Sequence, residues 1–380
     1  MLGLLWITPT LQDTNGSIQP IAATDDQLIV DGTVVDGTVA DSTVVDTTVV
    51  DSSSNGSGTS LDNILGGVLG GLGSGRGPRA FALGDHNQLV SFSLSRPRRS
   101  QNLDVTGVDG ELIGIDFRPA NGELYGLTDK NQVYQIDSLT GAATLVSTLN
   151  VPFEGGKSSG IDFNPVPDRL RAVGSNEQNF RLNVDTGEVA DFDANTPGIQ
   201  PDRALSYAPT DINAGKDPNI VGEAYTQSFA PSPDATRRVT LYGIDSNLDT
   251  LVRQGGANFP DTPPSPNEGQ LFTVGQLGVD FSDDTGFDIL TLPNGRDLAI
   301  AVSDAQLYRI NLNTGAARKI GTIGDGDSDF FGLALTGSGS SNSQSGLFGN
   351  GIFGNGNSGT TSLSSGSDTL NAQMSLNSIA

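Results

Sequence analysis

The sequence predicts an all-β fold, a β-propeller of four-stranded blades. Five blades are preferred, with six as the alternative. Three observations carry this. First, the run GIDF stands at 114–117 and again at 160–163, an offset of 46 residues, and related runs follow as ALSY (204–207), GFDI (286–289) and GLAL (332–335), at offsets of 44, 82 and 46. Second, an apolar run succeeds each of the four internal ones (LYGL 124–127, LRAV 170–173, LYGI 241–244, LAIA 298–301), and then come a turn, a third strand, a Thr-Gly or equivalent turn and a fourth strand. Short strands separated by turn signals at a near-constant period mark propeller blades. Third, the run FALGDHNQLVSFSLS (81–95) lacks an innermost strand of its own, and the last run, FFGLAL (330–335), lacks a following one. Pairing the two closes the ring from both ends and removes an open edge. The long interval of 82 residues reads as one blade with two insertions totalling 36 residues, because two full blades need eight strands and five or six are found.

In chain order, residues 1–78 read as a low-complexity acidic leader and Gly-rich linker, 79–336 as the propeller, and 337–380 as a Gly/Ser/Asn-rich tail. Leader and tail are expected to be largely disordered. Met1–Ile7 is apolar but short, has no basic flank and ends at Thr8-Pro9, so it is not a convincing signal peptide. Aspartate recurs every five residues at Asp31, Asp36, Asp41, Asp46 and Asp51, a period that fits neither a strand face nor a helix face. Leu61, Ile64, Leu65, Val68, Leu69 and Leu72 make one helical stripe, interrupted by glycines that each cost roughly 1 kcal/mol. This stripe reads as a linker, or as an element of weak self-association.

The charge distribution sharpens the same boundaries. Residues 1–79 carry a net −7, 80–335 a net −16, and the tail only Asp368, within a total of −24. Such a chain is repelled by nucleic acid and by anionic membranes. No apolar run reaches transmembrane length. With no cysteine and a single histidine, thiol chemistry, thiolate metal sites and multi-histidine metal sites are excluded.

The runs GIDFRPANGELYGLTDKNQVYQID (114–137), GIDFNPVPDRLRAVGSNEQNFRLNVDTG (160–187) and LYGIDSNLDTLVRQG (241–255) resemble domain-of-unknown-function family 4394, over about residues 80–335. The resemblance implies a repetitive β-architecture in a bacterial and often exported setting. It implies no catalytic residues.

Several residues carry side chains suited to chemistry. His86 stands in a hairpin turn, Asp85-His86-Asn87-Gln88, where the next blade has Asp129-Lys130-Asn131-Gln132, and it reads as an exposed turn residue. Gly156-Lys157-Ser158 resembles the end of a phosphate-binding loop, but Val151 stands where the motif needs glycine. Asp325, Asp327 and Asp329 have the opening spacing of an EF-hand, yet Phe330 replaces the glycine and Thr336 the glutamate. A looser calcium loop there, or at Asp211, Asn213 and Asp217, stays open. The pattern richest in chemistry is Asp116, Asp162 and Asp288, which share one position of the aligned first strands, with Ser206 and Ala334 in the other two. First strands line a propeller channel. A partial ring of carboxylates would therefore hold either Ca²⁺, a hard cation that takes oxygen ligands, or backbone N–H groups alone. Tyr225, Phe229 and Phe259, in insertions near 210–237 and 255–268, are the candidate contact surface.

These features converge on a non-enzymatic binding or scaffold propeller, exported or surface-exposed, whose ligand is a protein, a glycan or a small molecule. No catalytic set is found. Two alternatives remain: a Ca²⁺-dependent, lactonase-like hydrolase using the channel carboxylates, and a self-assembling matrix component acting through the Gly-rich flanks. The core is expected to be monomeric, with weak association through the flanks.

Overall fold

The computed structural model describes residues 78–230 and 237–337, together with the backbone of two short strand pairs in the leader, Thr10–Gln12 with Ile18–Pro20 and Leu28–Val30 with Thr33–Val35. The pentads beyond Val35, the stripe at 61–72 and the tail from residue 338 lie outside the described residues. The chain divides into two units, Met1–Gly339 and Ser340–Ala380, and the first contains the propeller.

Five sheets form five blades. Blade 2 is Leu112–Phe117, Leu124–Thr128, Gln132–Ile136 and Ala143–Thr148, all antiparallel. Blade 5 repeats this order with Thr285–Thr291, Asp297–Ser303, Gln306–Ile310 and Ala317–Thr322. Blade 1 closes the ring: Gly332–Thr336 is its innermost strand and pairs with Arg79–Gly84 in the register Gly332↔Leu83 to Thr336↔Arg79, ahead of Gln88–Ser93 and Gln101–Asp104. The inner strands touch in sequence, from blade 1 through blades 2, 3, 4 and 5 and back to blade 1.

Two expectations of detail are corrected. The innermost strand of blade 4 is Ile220–Tyr225, followed by Val239–Asp245, Thr250–Phe259 and Gln270–Gln276. The ALSY run is not a first strand. Ser206–Tyr207 instead adds parallel to Gln270–Gln276 on the outer edge of the blade. The channel position assigned to Ser206 therefore belongs to Ala224, in the run GEAY. Blade 3 keeps three strands, Ser159–Asn164, Arg169–Gly174 and Asn179–Leu182, and its fourth is reduced to one bridge, Leu182↔Val189.

The sequence repeats follow from this packing. Each inner strand reads Gly-x-Asp/Ala-x, and in blades 2 to 5 this glycine faces the next blade at close range. A β-carbon on Gly114 would lie 2.6 Å from the Ile161 side chain, and one on Gly286 2.5 Å from the Gly332 backbone. Inner strands this close leave no room for a side chain. The Thr-Gly turns have a second cause. Gly141, Gly187 and Gly315 hold positive φ (76, 76 and 80°), where the end of the preceding blade docks. Thr106 N–H donates to the Gly141 carbonyl at 2.9 Å, and Asn150 N–H to that of Gly187 at 3.1 Å.

Apolar clusters fill most gaps between blades. Leu298, Ile300, Val302, Leu333 and Leu335 pack between blades 5 and 1, and Ile113, Leu127, Ile161, Phe163 and Leu170 between blades 2 and 3. The gap between blades 3 and 4 has a smaller apolar cluster, around Val173, Ile220 and Val252. Polar side chains make up the difference there.

Candidate functional site

Asp116, Asp162 and Asp288 converge. Their carboxylates lie at the axis with one oxygen from each within 4.8 Å of the others, and the residues are only 6, 2 and 4% exposed. Among the described residues no other set of three acidic or histidine side chains comes this close. The geometry follows from the aligned inner strands: equal positions in blades 2, 3 and 5 face the axis at one level.

Each carboxylate also ties two blades together. An inner strand pairs on one side only, which leaves N–H groups on its axial edge without a ladder partner. Asp116 accepts from Phe117 N–H at 2.6 Å and from Phe163 N–H of blade 3 at 2.8 Å. Asp162 accepts from Tyr225 N–H of blade 4 at 3.2 Å. Asp288 accepts from Ile289 N–H at 2.5 Å and from Leu335 N–H of blade 1 at 2.6 Å. The three thus join blades 2 to 3, 3 to 4 and 5 to 1. Ala224 and Ala334 leave the other two joints without such a bond.

These donors do not compensate three charges. Burial pushes all three carboxyls up, and like-charge repulsion adds to this at Asp116 and Asp162. Asp288 is pushed up to about 7 by burial, against the backbone donors that lower it. A fourth acid adds to the imbalance. Glu223 is 1% exposed, neither carboxylate oxygen has a hydrogen-bond partner, and burial pushes it up to about 8. It lines the narrow axial cavity with Gly160, Ile161 and Phe287, and its charge repels that of Asp162.

Sequence reasoning missed Glu223, because the run IVGEAY falls within a stretch that the repeat spacing marks as an insertion. An acid among small and apolar residues was the available signal. It also missed Arg171, the buried cation of the same joint. Arg171 is 1% exposed and donates to the Tyr225 hydroxyl (2.8 Å), Asp202 (3.0 Å), Asn267 (2.7 Å) and Asn179. Arg181 completes Asp202 with two bonds, of 2.6 and 2.8 Å. Burial works against the Arg171 charge, while Tyr225, Asp202 and Glu223 sustain it, with a net upward shift.

The remaining candidates fall elsewhere. Of the three contact aromatics, Tyr225 is fully buried, so it cannot meet a partner. Phe229 is 41% exposed, with the Arg237 guanidinium 4.0 Å from its ring centre. Phe259 is half-buried at the end of its strand. Asp211 engages both oxygens with Asn213 and Thr273. Asp325, Asp327 and Asp329 are exposed in a turn.

His86 is exposed and holds φ 57°, next to Asn87 at 58°. An L-residue there costs about 1–2 kcal/mol relative to its usual conformation, so His86→Gly is expected to stabilise the fold by up to about 1 kcal/mol in urea denaturation. A destabilised variant would mean that the imidazole makes a contact the fold needs.

The family model for the domain of unknown function DUF4394 matches residues 88–334. No curated protein matches the chain. Among solved structures, a structural-genomics protein of unknown function from Bacteroides thetaiotaomicron VPI-5482 is similar at 16% identity and a TM-score of 0.40, with 70% of this chain and 67% of that one covered. YCF48 bound to D1 peptide is similar at 13% and 0.30, covering 63% and 62%. The computationally designed Ika8 protein is similar at 11% and 0.28, covering 66% and 63%.

Proposed function

The chain belongs to the DUF4394 family of unknown function, and from its axial geometry we propose a non-enzymatic binding propeller organised around a hard divalent cation, Ca²⁺. The observation that carries this is the convergence of Asp116, Asp162 and Asp288 within 4.8 Å. Ligand atoms on opposite sides of a Ca²⁺ ion stand about 4.6–5.2 Å apart, twice the usual Ca–O distance. The three oxygens are therefore no farther apart than ligands of one ion stand. Three carboxylates supply at most six oxygens, and Glu223, buried with neither oxygen hydrogen-bonded, adds a fourth acid that Arg171 only partly offsets. Bound Ca²⁺ would replace the protons that burial otherwise forces onto these groups.

The burial of the triad favours a structural or affinity-setting ion over a catalytic one, which needs a position open to substrate. Extracellular modules bind Ca²⁺ at roughly 10⁻⁴–10⁻³ M, so the proposal suits an exported protein. The ligand of the binding module is to be sought on its loop faces. Among the described residues no helix is long and apolar enough to cross a membrane.

The test is a thermal melt of the full chain in EDTA, followed by Ca²⁺ titration. At one hundred times Kd the ion adds about 2.7 kcal/mol, or roughly 5–10 °C for a domain of this size. The rise should saturate and should vanish when all three aspartates become asparagine, which retains one side-chain oxygen and so one of the two backbone bonds at Asp116 and Asp288. A flat response of the unaltered protein, or an equal rise in the asparagine variant, would refute the site.

A further inference from the structure

Above the triad, at the end of the axis where the inner strands begin, lies a second site of different chemistry. It is a cavity of about 330 Å³ with a floor of Leu112, Ile113 and Phe331. Its size falls in the range of small-ligand pockets. Carboxylates of Asp85, Glu111 and Asp129 stand around it. Glu111 is exposed, and among the described residues its side chain has no hydrogen bond or ion pair.

One ammonium group is already seated there, and it belongs to the protein. Lys157, just before blade 3, reaches across the mouth to two other blades. Its Nζ lies 3.4 Å from Asp85 Oδ1 of blade 1 and 3.2 Å from Asp284 Oδ1, just before blade 5. The same nitrogen stands 5.5 Å from the centre of the Phe331 ring. Two carboxylates and an aromatic face around an alkylammonium group make a cation-recognition arrangement. Gly156, at φ 71° with open space beside its α-carbon, precedes the lysine, while Gly155 packs on Phe153 and Gly174, so Lys157 leaves the slot by rotation of its own half-exposed side chain. The slot is thus filled by a tethered competitor, while among the described residues the Glu111 carboxylate has no ion-pair partner; its neighbour Asp129 accepts from Glu111 N–H at 2.9 Å and lies in the field of Lys130.

We propose that this mouth binds an aliphatic polyamine. One ammonium takes the slot between Asp85 and Asp284 in place of Lys157. The methylenes lie on Leu112, Ile113 and Phe331, and a second ammonium meets Glu111 and Asp129. The site is distinct from the axial triad: Leu112 and Asp116 lie on the same inner strand, four positions apart. The net charge of −24 attracts such a ligand but does not supply the slot.

The experiment uses the Ca²⁺-saturated full chain, so that the triad is not in competition. His86 lines the cavity and is the single histidine of the sequence, so its imidazole NMR signals are assigned without ambiguity and, at fixed pH and salt, report on occupancy. Spermidine at physiological salt should shift those signals saturably. Lys157→Met should tighten binding about tenfold, since a tethered group competes at millimolar effective concentration. Asp85→Asn with Glu111→Gln should weaken it at least about tenfold, as charge-assisted partners are lost. The proposal is overturned if spermidine gives no saturable shift, if the Asn/Gln variant binds like the unaltered protein, or if Lys157→Met leaves affinity unchanged. None of these results bears on the Ca²⁺ melt, so the two readings can fail separately.

Discussion

A chain ending at Asp329 should not fold. It loses Gly332–Thr336, the innermost strand of blade 1, and with it the five-residue ladder to Arg79–Gly84. Phe330, Phe331, Leu333 and Leu335, each 2–4% exposed, go with it. Burying a large apolar side chain contributes about 1.5–3 kcal/mol, so these four account for roughly 6–12 kcal/mol. Whole domains are stable by only about 5–15 kcal/mol. The cut also opens Arg79–Gly84 as an unpaired edge and leaves Asp288 without the Leu335 donor. A chain ending at Gly337 keeps every described strand of the propeller and is the matched control. Circular dichroism melts and size-exclusion chromatography should show a cooperative, monodisperse protein for the control and neither property for the shorter chain. A cooperative melt of the shorter chain would show that the ring closes without its C-terminal strand.

That closure was legible in the sequence because strand edges are unfavourable: a first run without a partner and a last run without a successor have one simple solution. The axial triad was legible for a related reason. The two GIDF runs and the related GFDI run place aspartate at the same depth, so Asp116, Asp162 and Asp288 could be aligned without coordinates. Blade 4 was not legible in the same way. ALSY stands 44 residues after GIDF and imitates the period, while the true inner strand begins its GEAY run 18 residues later. The feature common to all five inner strands is the glycine, which in four of them lets the next blade approach. ALSY lacks it and GEAY has it.

The joint between blades 3 and 4 was hidden altogether. Arg171 and Glu223 sit in strands that look apolar, and the Arg171 partners Asp202 and Asn267 arrive from connecting segments far along the chain. Pattern shows which strands exist. It does not show which loop brings the countercharge to a buried arginine. Nor does it show that Lys157, in a run that only resembles a phosphate loop, spans the mouth of the channel. Both are facts of closure, since they depend on residues that meet only when the ring is complete.

The same axial chemistry makes the metal-free protein less stable as pH rises from about 5 to about 8, the reverse of ordinary acid denaturation. Asp116, Asp162, Asp288 and Glu223 all have folded-state values above those of the unfolded chain, with Asp288 at about 7 and Glu223 at about 8. Unfolded Asp and Glu titrate near about 3.9 and 4.3. Between those values and about 8 the folded state holds more protons, so stability falls with pH and levels off once the folded groups have ionised. Each tenfold gain in proton affinity on folding is worth about 1.4 kcal/mol, so the four groups together are worth several kcal/mol, or at least roughly 10 °C in Tm. Below about pH 4 the opposite sign takes over, because Arg118 holds Asp185 below the usual range and that stabilisation is lost on protonation. Melts in EDTA should therefore peak near about pH 4–5. General repulsion at net −24 also weakens the fold at high pH, and the variants separate the two effects: Glu223→Gln with Asp288→Asn should flatten part of the slope, leaving the share of Asp116 and Asp162, while substituting exposed aspartates should not. Saturating Ca²⁺ should flatten it as well, because an ion that needs the ionised triad favours the deprotonated folded state. A Tm in EDTA that is constant or rises between about pH 5 and 8 would mean that the four buried acids are charged and compensated, and that the axis needs neither proton nor ion.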